Sequence, residues 1–246
     1  MSASPVSRAP ASPAVPLRRP QLGDLHLTLL ALVLVLLWDS SGLDRAALHL
    51  VGNAGGFALR DHPLTAGVLH QGGRALGWAV FALLLLNLRW PLWPGVPRAQ
   101  RLRWLLALVL CVTLVPALKQ FSATSCPWDL AEFGGIAHYV SHWRLGVADG
   151  GPGRCFPSGH ATAAFGFLGG WFVLRGPHPR AARAWLAAVL LAGLLLGAGQ
   201  WLRGAHPPSH SLWTAWLCWA INAALLARLG PASPGPPLSA AARSRL

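Results

Sequence analysis

Four consecutive residues, Pro157-Ser158-Gly159-His160, place a small polar cluster at the mouth of an apolar stretch. Their types suit an anion. Proline followed by serine starts a helix, with Ser158 as candidate cap. That leaves free backbone N–H groups at Gly159 and His160, with the helix dipole behind them, and Gly159 lets a ligand approach the backbone closely. A second cluster, Arg203-x2-His206-x3-His210, lies further on. Histidines in separate segments can divide a phosphoryl transfer: His206 attacks, and His160 protonates the leaving oxygen. His210, four residues after His206, can hold its second ring nitrogen and fix the tautomer. The single lysine, Lys119, and Arg203 supply positive charge. Each piece also has a plain reading. Lys119 could be a snorkelling helix end, and Pro157 to His160 an ordinary cap. His206 with His210, and His138 with His142, have metal-ligand spacing, but no HExxH pattern and no obvious carboxylate partner accompany them. No metal and no cofactor are expected.

The clusters must be carried by helices. The 246 residues are 54% hydrophobic and 11% charged. Six long apolar runs lie between Arg-, Pro- and Gly-rich breaks: Leu22 to Trp38, Gly72 to Trp90, Leu102 to Leu118, Ser158 to Leu174, Ala184 to Leu202 and Ser209 to Leu229. A soluble bundle would show a charged face on such helices, and these do not. The predicted fold class is all-α, a polytopic membrane protein with six transmembrane helices in a bundle. The first run, which follows a Pro-rich tail and ends in "LLWDSSG", reads as an uncleaved anchor. Residues 1–20 and 230–246 read as disordered cytoplasmic tails around a domain at 21–229, with no internal repeat.

The net charge of +13 would suggest nucleic acid in a soluble protein. Here the charges sort by loop. With the N-terminus cytoplasmic, 13 of the 20 basic residues fall inside, and six of the seven acidic residues, all but Asp24, fall outside. The positive-inside rule fixes that orientation, so the basicity is topological and no nucleic-acid partner is expected. Trp38, Trp90, Trp104, Trp185 and Trp201 near helix ends suggest an interfacial belt. Trp213, Trp216 and Trp219 suggest a lipid-facing or packing stripe. In this topology Lys119, the Pro157–His160 cluster and the Arg203–His210 cluster share the outer face. Cys126 and Cys155 lie in one outer loop, where an oxidising compartment favours a bridge over two free thiols. Cys111 and Cys218 fall inside helices as apolar filler.

At these residues the chain resembles the type 2 phosphatidic acid phosphatase superfamily, whose membrane members have six helices. The family pattern is K-x6-R-P, then P-S-G-H, then S-R-x5-H-x3-D. The middle part is intact at Pro157 to His160. Lys119 keeps the first position, but Cys126 stands for the arginine. His206 keeps the histidine place, while Gly199-Gln200 stands for Ser-Arg and His210 for the aspartate. The resemblance implies a metal-independent phosphatase working through a phosphohistidine. Lys119, Ser158 and the Gly159 amide would bind phosphate, His206 would attack, and His160 would act as acid and then base. Arg144, Arg154 or Arg203 could supply the missing guanidinium.

The expected function is hydrolysis of a lipid phosphomonoester or diphosphate, with membrane lipids as surroundings and the site facing the periplasm of a bacterial inner membrane. Phosphatidate, phosphatidylglycerol phosphate, polyprenyl diphosphate and lipid A all fit. The alternative is a catalytically weak or inactive homologue that binds phospholipid headgroups. A transporter would need charged or broken mid-membrane segments, which the runs lack.

Overall fold

The computed structural model describes residues 22–227; the tails at 1–20 and 230–246 lie outside the described residues. Helix α1 spans Leu22–Ser40 and the short α2 Leu43–His49. A two-residue hairpin follows, β1 at Gly52–Asn53 paired antiparallel with β2 at Gly56–Phe57. A π-helix over Pro63–Gly72 runs directly into α3, Gly73–Arg89, and α4 covers Arg98–Gln120. Two 3-10 turns, Pro127–Asp129 and Ala131–Phe133, punctuate the next connection. The segment Gly159–Leu174 is a composite of 3-10 turns at Gly159–Ala161 and Gly166–Leu168 with α5, Thr162–Phe165, and α6, Gly169–Leu174. Helices α7, Pro179–Leu202, and α8, Pro208–Leu226, complete the described chain.

Four helical segments among the described residues are long and apolar enough to cross a membrane: Gly23–Ser40, Pro63–Arg89, Arg98–Gln120 and Pro179–Leu202. The other two of the six expected spans differ for a physical reason. Gly159–Leu174 is shorter, and its glycines interrupt regular α-helix, because glycine is a poor helix former. Helix α8 buries Ser209, His210, Ser211, Thr214 and Asn222, polar groups that dilute its hydropathy.

The composite segment is the centre of the packing: every residue from Ala164 to Gly170 is buried. Its glycines permit this. A Cβ on Gly169 would lie 2.7 Å from Trp104 Cδ1, and one on Gly170 would run into the Trp185 indole. Trp104 is only 1% exposed and packs with Trp93 and Trp185, ring centroids 5.6 and 5.2 Å away. This corrects the expected belt at that position: Trp104 is core. By contrast, large apolar side chains on α1 (Leu29, Leu30, Leu37) and α7 (Leu191, Leu194, Leu195) face outward, as lipid-facing surfaces do.

The tryptophans of α8 are packing residues with polar anchors. Trp213 Nε1 donates to Asp39 Oδ2 (3.1 Å), Trp216 Nε1 to the Thr28 carbonyl (3.0 Å) and Trp219 Nε1 to Thr28 Oγ1 (2.9 Å). They zip α8 onto α1. At the other end of α1, Asp24 takes a bidentate pair from Arg175, 2.7 Å to each oxygen, a fork geometry that arginine favours.

Candidate active site

The three polar clusters of the sequence meet at one end of the bundle. Lys119 is the penultimate residue of α4. The loop after it pairs with the strand of chain before Ser158: Arg154 N donates to the Ser122 carbonyl (2.7 Å) and Cys155 N to the Thr124 carbonyl (2.9 Å). The buried Asp149 carboxylate accepts from Ser125 N (2.6 Å), Ser125 Oγ (2.8 Å) and Gly151 N (3.0 Å). Cys126 and Cys155 form a disulfide, as expected. The second cluster is then laced to the third. Ser158 N donates to the His210 carbonyl (3.2 Å), and Thr214 Oγ1 lies within reach of the Ser158 carbonyl (2.9 Å) and the His210 carbonyl (3.0 Å). Trp128 N, next to the disulfide, donates to the Gly204 carbonyl (2.9 Å). Gly204 holds φ +70°, and a Cβ there would strike Phe57, so the turn into His206 requires glycine.

His206 is 4% exposed and His210 3%. Their Nδ1 atoms face each other at 3.3 Å, with Cys155 Sγ 3.4 Å from His206 Nδ1 and the Cys155 carbonyl 3.1 Å from His210 Nδ1. Only one of two facing Nδ1 atoms can carry a proton. With the proton on His210, the Cys155 carbonyl is satisfied but neutral His206 carries its own proton on Nε2; attack by His206 Nε2 therefore requires the proton on His206 Nδ1, donated to His210 Nδ1. His210 thus sits where the sequence placed it, beside the second ring nitrogen of His206.

Burial pushes His206 well below the ordinary histidine range, and positive charge from His210 and Lys119 adds to it. His206 is therefore neutral at pH 7, as a nucleophile must be. The consequence for stability has a definite sign. The unfolded chain takes up this proton near pH 6.5, while the folded chain resists it to much lower pH. Stability from this residue is present above about pH 6.5 and is lost as pH falls below it, by up to about 1.4 kcal/mol per pH unit. Thermal unfolding between pH 7.5 and 5 is expected to show a falling midpoint, with a shallower fall in His206→Asn. Equal slopes for the two proteins would contradict this.

His160 is close enough to His206 to act on it electrostatically. One ring nitrogen faces the Leu69 carbonyl, while Nε2 is buried with no protein partner. Ser158 Oγ and Ser209 Oγ are likewise buried without a partner. Ser158 occupies the cap position, but its side chain makes no capping hydrogen bond, so its hydroxyl is free for another task. Lys119 lies along Gly159: a Cβ on that glycine would be 3.9 Å from Lys119 Cδ.

Two residues that sequence reasoning missed complete this side. His70, in the π-helix, stacks on His160 with ring centroids 4.4 Å apart, and its Nδ1 is 3.3 Å from Gln200 Nε2. Arg74 and Arg203 both act electrostatically on His160. Arg203 Nε donates to the Arg60 carbonyl (2.7 Å), and its guanidinium sits 5.9 Å from the Trp128 ring centre. Of the other expected arginines, Arg154 is exposed, and Arg144 lines a separate cavity with Phe121, Trp143, Phe156 and Trp213. Neither is among the groups acting on His160, His206 or His210. The spacing of His70 and Arg74, four apart at the end of an apolar run, was the available signal.

Two carboxylates border the third cluster: Asp44 Oδ1 of α2 accepts from Ser209 N (3.0 Å), and Asp39 comes from α1. Asp39 Oδ2 accepts from Trp143 Nε1 (2.7 Å) and lies 3.0 Å from His142 Nε2, a contact without hydrogen-bond alignment. His142 stacks on Phe156 (3.9 Å) and meets His210 edge-on (5.9 Å). As for metals, one group among the described residues has ligand atoms close together: Cys126, Cys155 and His206. Its two sulfurs are joined to each other, leaving a single nitrogen as ligand.

The disulfide closes a loop across 29 positions and touches His206. Loop-closure entropy gives it about 3–4 kcal/mol. Cys126→Ser is expected to lower the unfolding free energy by about that amount and to reduce activity, since the Cys155 sulfur that touches His206 Nδ1 is then unbound. Unchanged denaturant midpoints with and without reductant would contradict this.

Neutral buried histidines, a lysine and arginines around a serine–glycine turn are the materials of phosphoryl transfer, and here they sit on a helical scaffold built for an apolar surrounding. Comparison with known families agrees: residues 100–231 match the PAP2 superfamily, and the chain belongs to it. Its members are phosphatases, which gives the chemistry at the coarse level. No curated protein and no solved structure gives a significant match.

Proposed function

We propose that the chain is a metal-independent lipid phosphatase of the extracytoplasmic membrane surface. The observation that carries this reading is His206, buried and neutral, with Nδ1 engaged by His210 and the disulfide loop and with Lys119 and His160 close enough to act on it electrostatically. In this reading Lys119, Ser158 and the Gly159 amide hold the phosphate oxygens. His206 Nε2 attacks phosphorus, and the bond to the leaving oxygen breaks as His160, which takes a proton on Nε2 from the bound phosphate monoanion, passes that proton to the leaving oxygen. His160, now neutral, takes a proton from water; the resulting hydroxide attacks the phosphohistidine, the P–N bond breaks, and inorganic phosphate leaves with His206 restored.

The helix arrangement supports the location. We read Gly159–Leu174 and α8 as two further spans beside the four long apolar helices, giving six. The Lys119 end of the bundle then faces outward by the distribution of basic residues, in the periplasm if the membrane is a bacterial inner membrane. A site at that depth suits a phosphate projecting from a lipid.

The test is phosphate release by purified protein from phosphatidate, phosphatidylglycerol phosphate and polyprenyl diphosphate in detergent with a chelator present, with His206→Ala as control. Release by the wild type alone supports the reading. Headgroup binding without release from any of them would favour the second reading, a non-catalytic homologue. That reading draws on Cys126, Gln200 and His210 standing where the family has arginine, arginine and aspartate.

A further inference from the structure

The family places guanidinium groups at two positions that this chain has assigned to other work. Cys126 is tied into the disulfide, and the Gln200 amide is held against His70 Nδ1. Arg203 is committed to the Arg60 carbonyl and the Trp128 ring. A phosphate with two or three anionic oxygens needs charge-assisted donors, so another source is required. Arg74 has the opposite character: among the described residues it has no ion pair, no hydrogen bond from its side chain and no ring contact. It lines a cavity of about 350 Å³ together with Gly159 and His160, the two residues whose chemistry addresses the phosphate. The remaining wall is mostly apolar, including Trp78, Phe81, Leu108 and Phe167, with Thr113 and Thr162.

Local structure explains how Arg74 gets there. It is the second residue of α3, directly after the π-helix Pro63–Gly72. His70, four residues earlier, stacks on His160 and is fixed by Gln200. Wide π turns recur at functional sites because they re-aim side chains. Here the turn leads into a helix start that presents His70 to the His160 ring and Arg74 to the cavity beside it. Both residues lie outside the stretch that matches the family.

We propose that Arg74 is the guanidinium that grips the substrate phosphate in this chain, with His70 as a positioning residue that holds the His160 ring. The proposal rests on the phosphatase reading above. Arg74 would donate from two N–H groups to non-bridging phosphate oxygens, in place of the arginines lost at Cys126 and Gln200.

The experiment uses the full chain in detergent with two readouts: hydrolysis of phosphatidate, and protection against thermal unfolding by inorganic phosphate. Losing a charged hydrogen-bonding partner predicts that Arg74→Ala lowers kcat/KM by about 10- to 100-fold. The phosphate concentration giving half-protection should rise by a similar factor. Arg74→Lys keeps the charge but not the fork and should recover part of both. Arg154→Ala should change neither. Arg74 is exposed, so unfolding without phosphate should match the wild type. If Arg74→Ala keeps wild-type kcat/KM and phosphate protection while His206→Ala is inactive, the assignment of Arg74 falls and the phosphatase reading stands. If the wild type neither hydrolyses phosphatidate nor is protected by phosphate, the phosphatase reading fails and takes the Arg74 assignment with it.

Discussion

His206→Ala is expected to abolish phosphate release, a loss on the order of 10⁴-fold or more, because it removes the atom that bonds to phosphorus. The geometry says why nothing nearby can substitute. His210 has its Nδ1 between the Cys155 carbonyl and His206 and is 3% exposed. His160 Nε2 has no protein partner and serves the leaving oxygen in this account. A better leaving group should not restore activity, since bond formation, not departure, is what the variant lacks. The fold should survive: without the His206 ring, His210 Nδ1 can donate to the Cys155 carbonyl 3.1 Å away, and the disulfide still joins the two loops. Residual turnover within about tenfold of wild type in folded His206→Ala would remove it from the nucleophile's role.

His160→Ala should behave differently. Its loss should be about 10²- to 10⁴-fold with an alkyl phosphate, the range typical of general acid–base help. With a substrate whose leaving group is already a weak base, such as an aryl phosphate, the first step needs little protonation and the loss should shrink. Hydrolysis of the phosphoenzyme should remain slow, so labelled enzyme should accumulate. Two structural facts support this role. His160 Nε2 is buried without a protein partner, so it is free to meet a substrate oxygen, and the Leu69 carbonyl orients the ring from the other nitrogen. A loss of equal size in kcat/KM, which reports phosphoenzyme formation, for alkyl and aryl substrates would point to a binding role for His160 and not to proton transfer to the leaving group.

What the sequence disclosed and what it hid divide along physical lines. Local signals read well. Pro157 to His160 is contiguous, so its meaning did not depend on the fold. The long apolar runs gave α1, α3, α4 and α7, and shared placement in one loop gave the Cys126–Cys155 bridge. Contacts between distant segments were harder. Nothing near His70 says that it stacks on a ring 90 positions later, and a π turn leaves no hydrophobic period to read. Gln200 was visible as a departure from the family pattern, but its partner was not. Trp104 looked interfacial from its position near a helix end; Gly169, which opens room for it, lies on another segment. The direction of the Trp213–Trp219 stripe was similarly set by a distant helix, through Thr28 and Asp39. Asp39 also brings an acidic group to the His142 and Trp213 side of the third cluster, from a helix that periodicity marks as a plain membrane anchor.

The central claim is that catalysis passes through a covalent bond between phosphorus and His206. It is tested most directly by mixing wild-type protein with phosphate-labelled lipid substrate, quenching at neutral to alkaline pH within the first turnover, and mapping the label by peptide mass spectrometry. Acid-labile, base-stable phosphate on the peptide carrying His206, absent from His206→Ala and increased in His160→Ala, is the predicted result. Turnover of the same substrate with no labelled peptide in either the wild type or His160→Ala would contradict it.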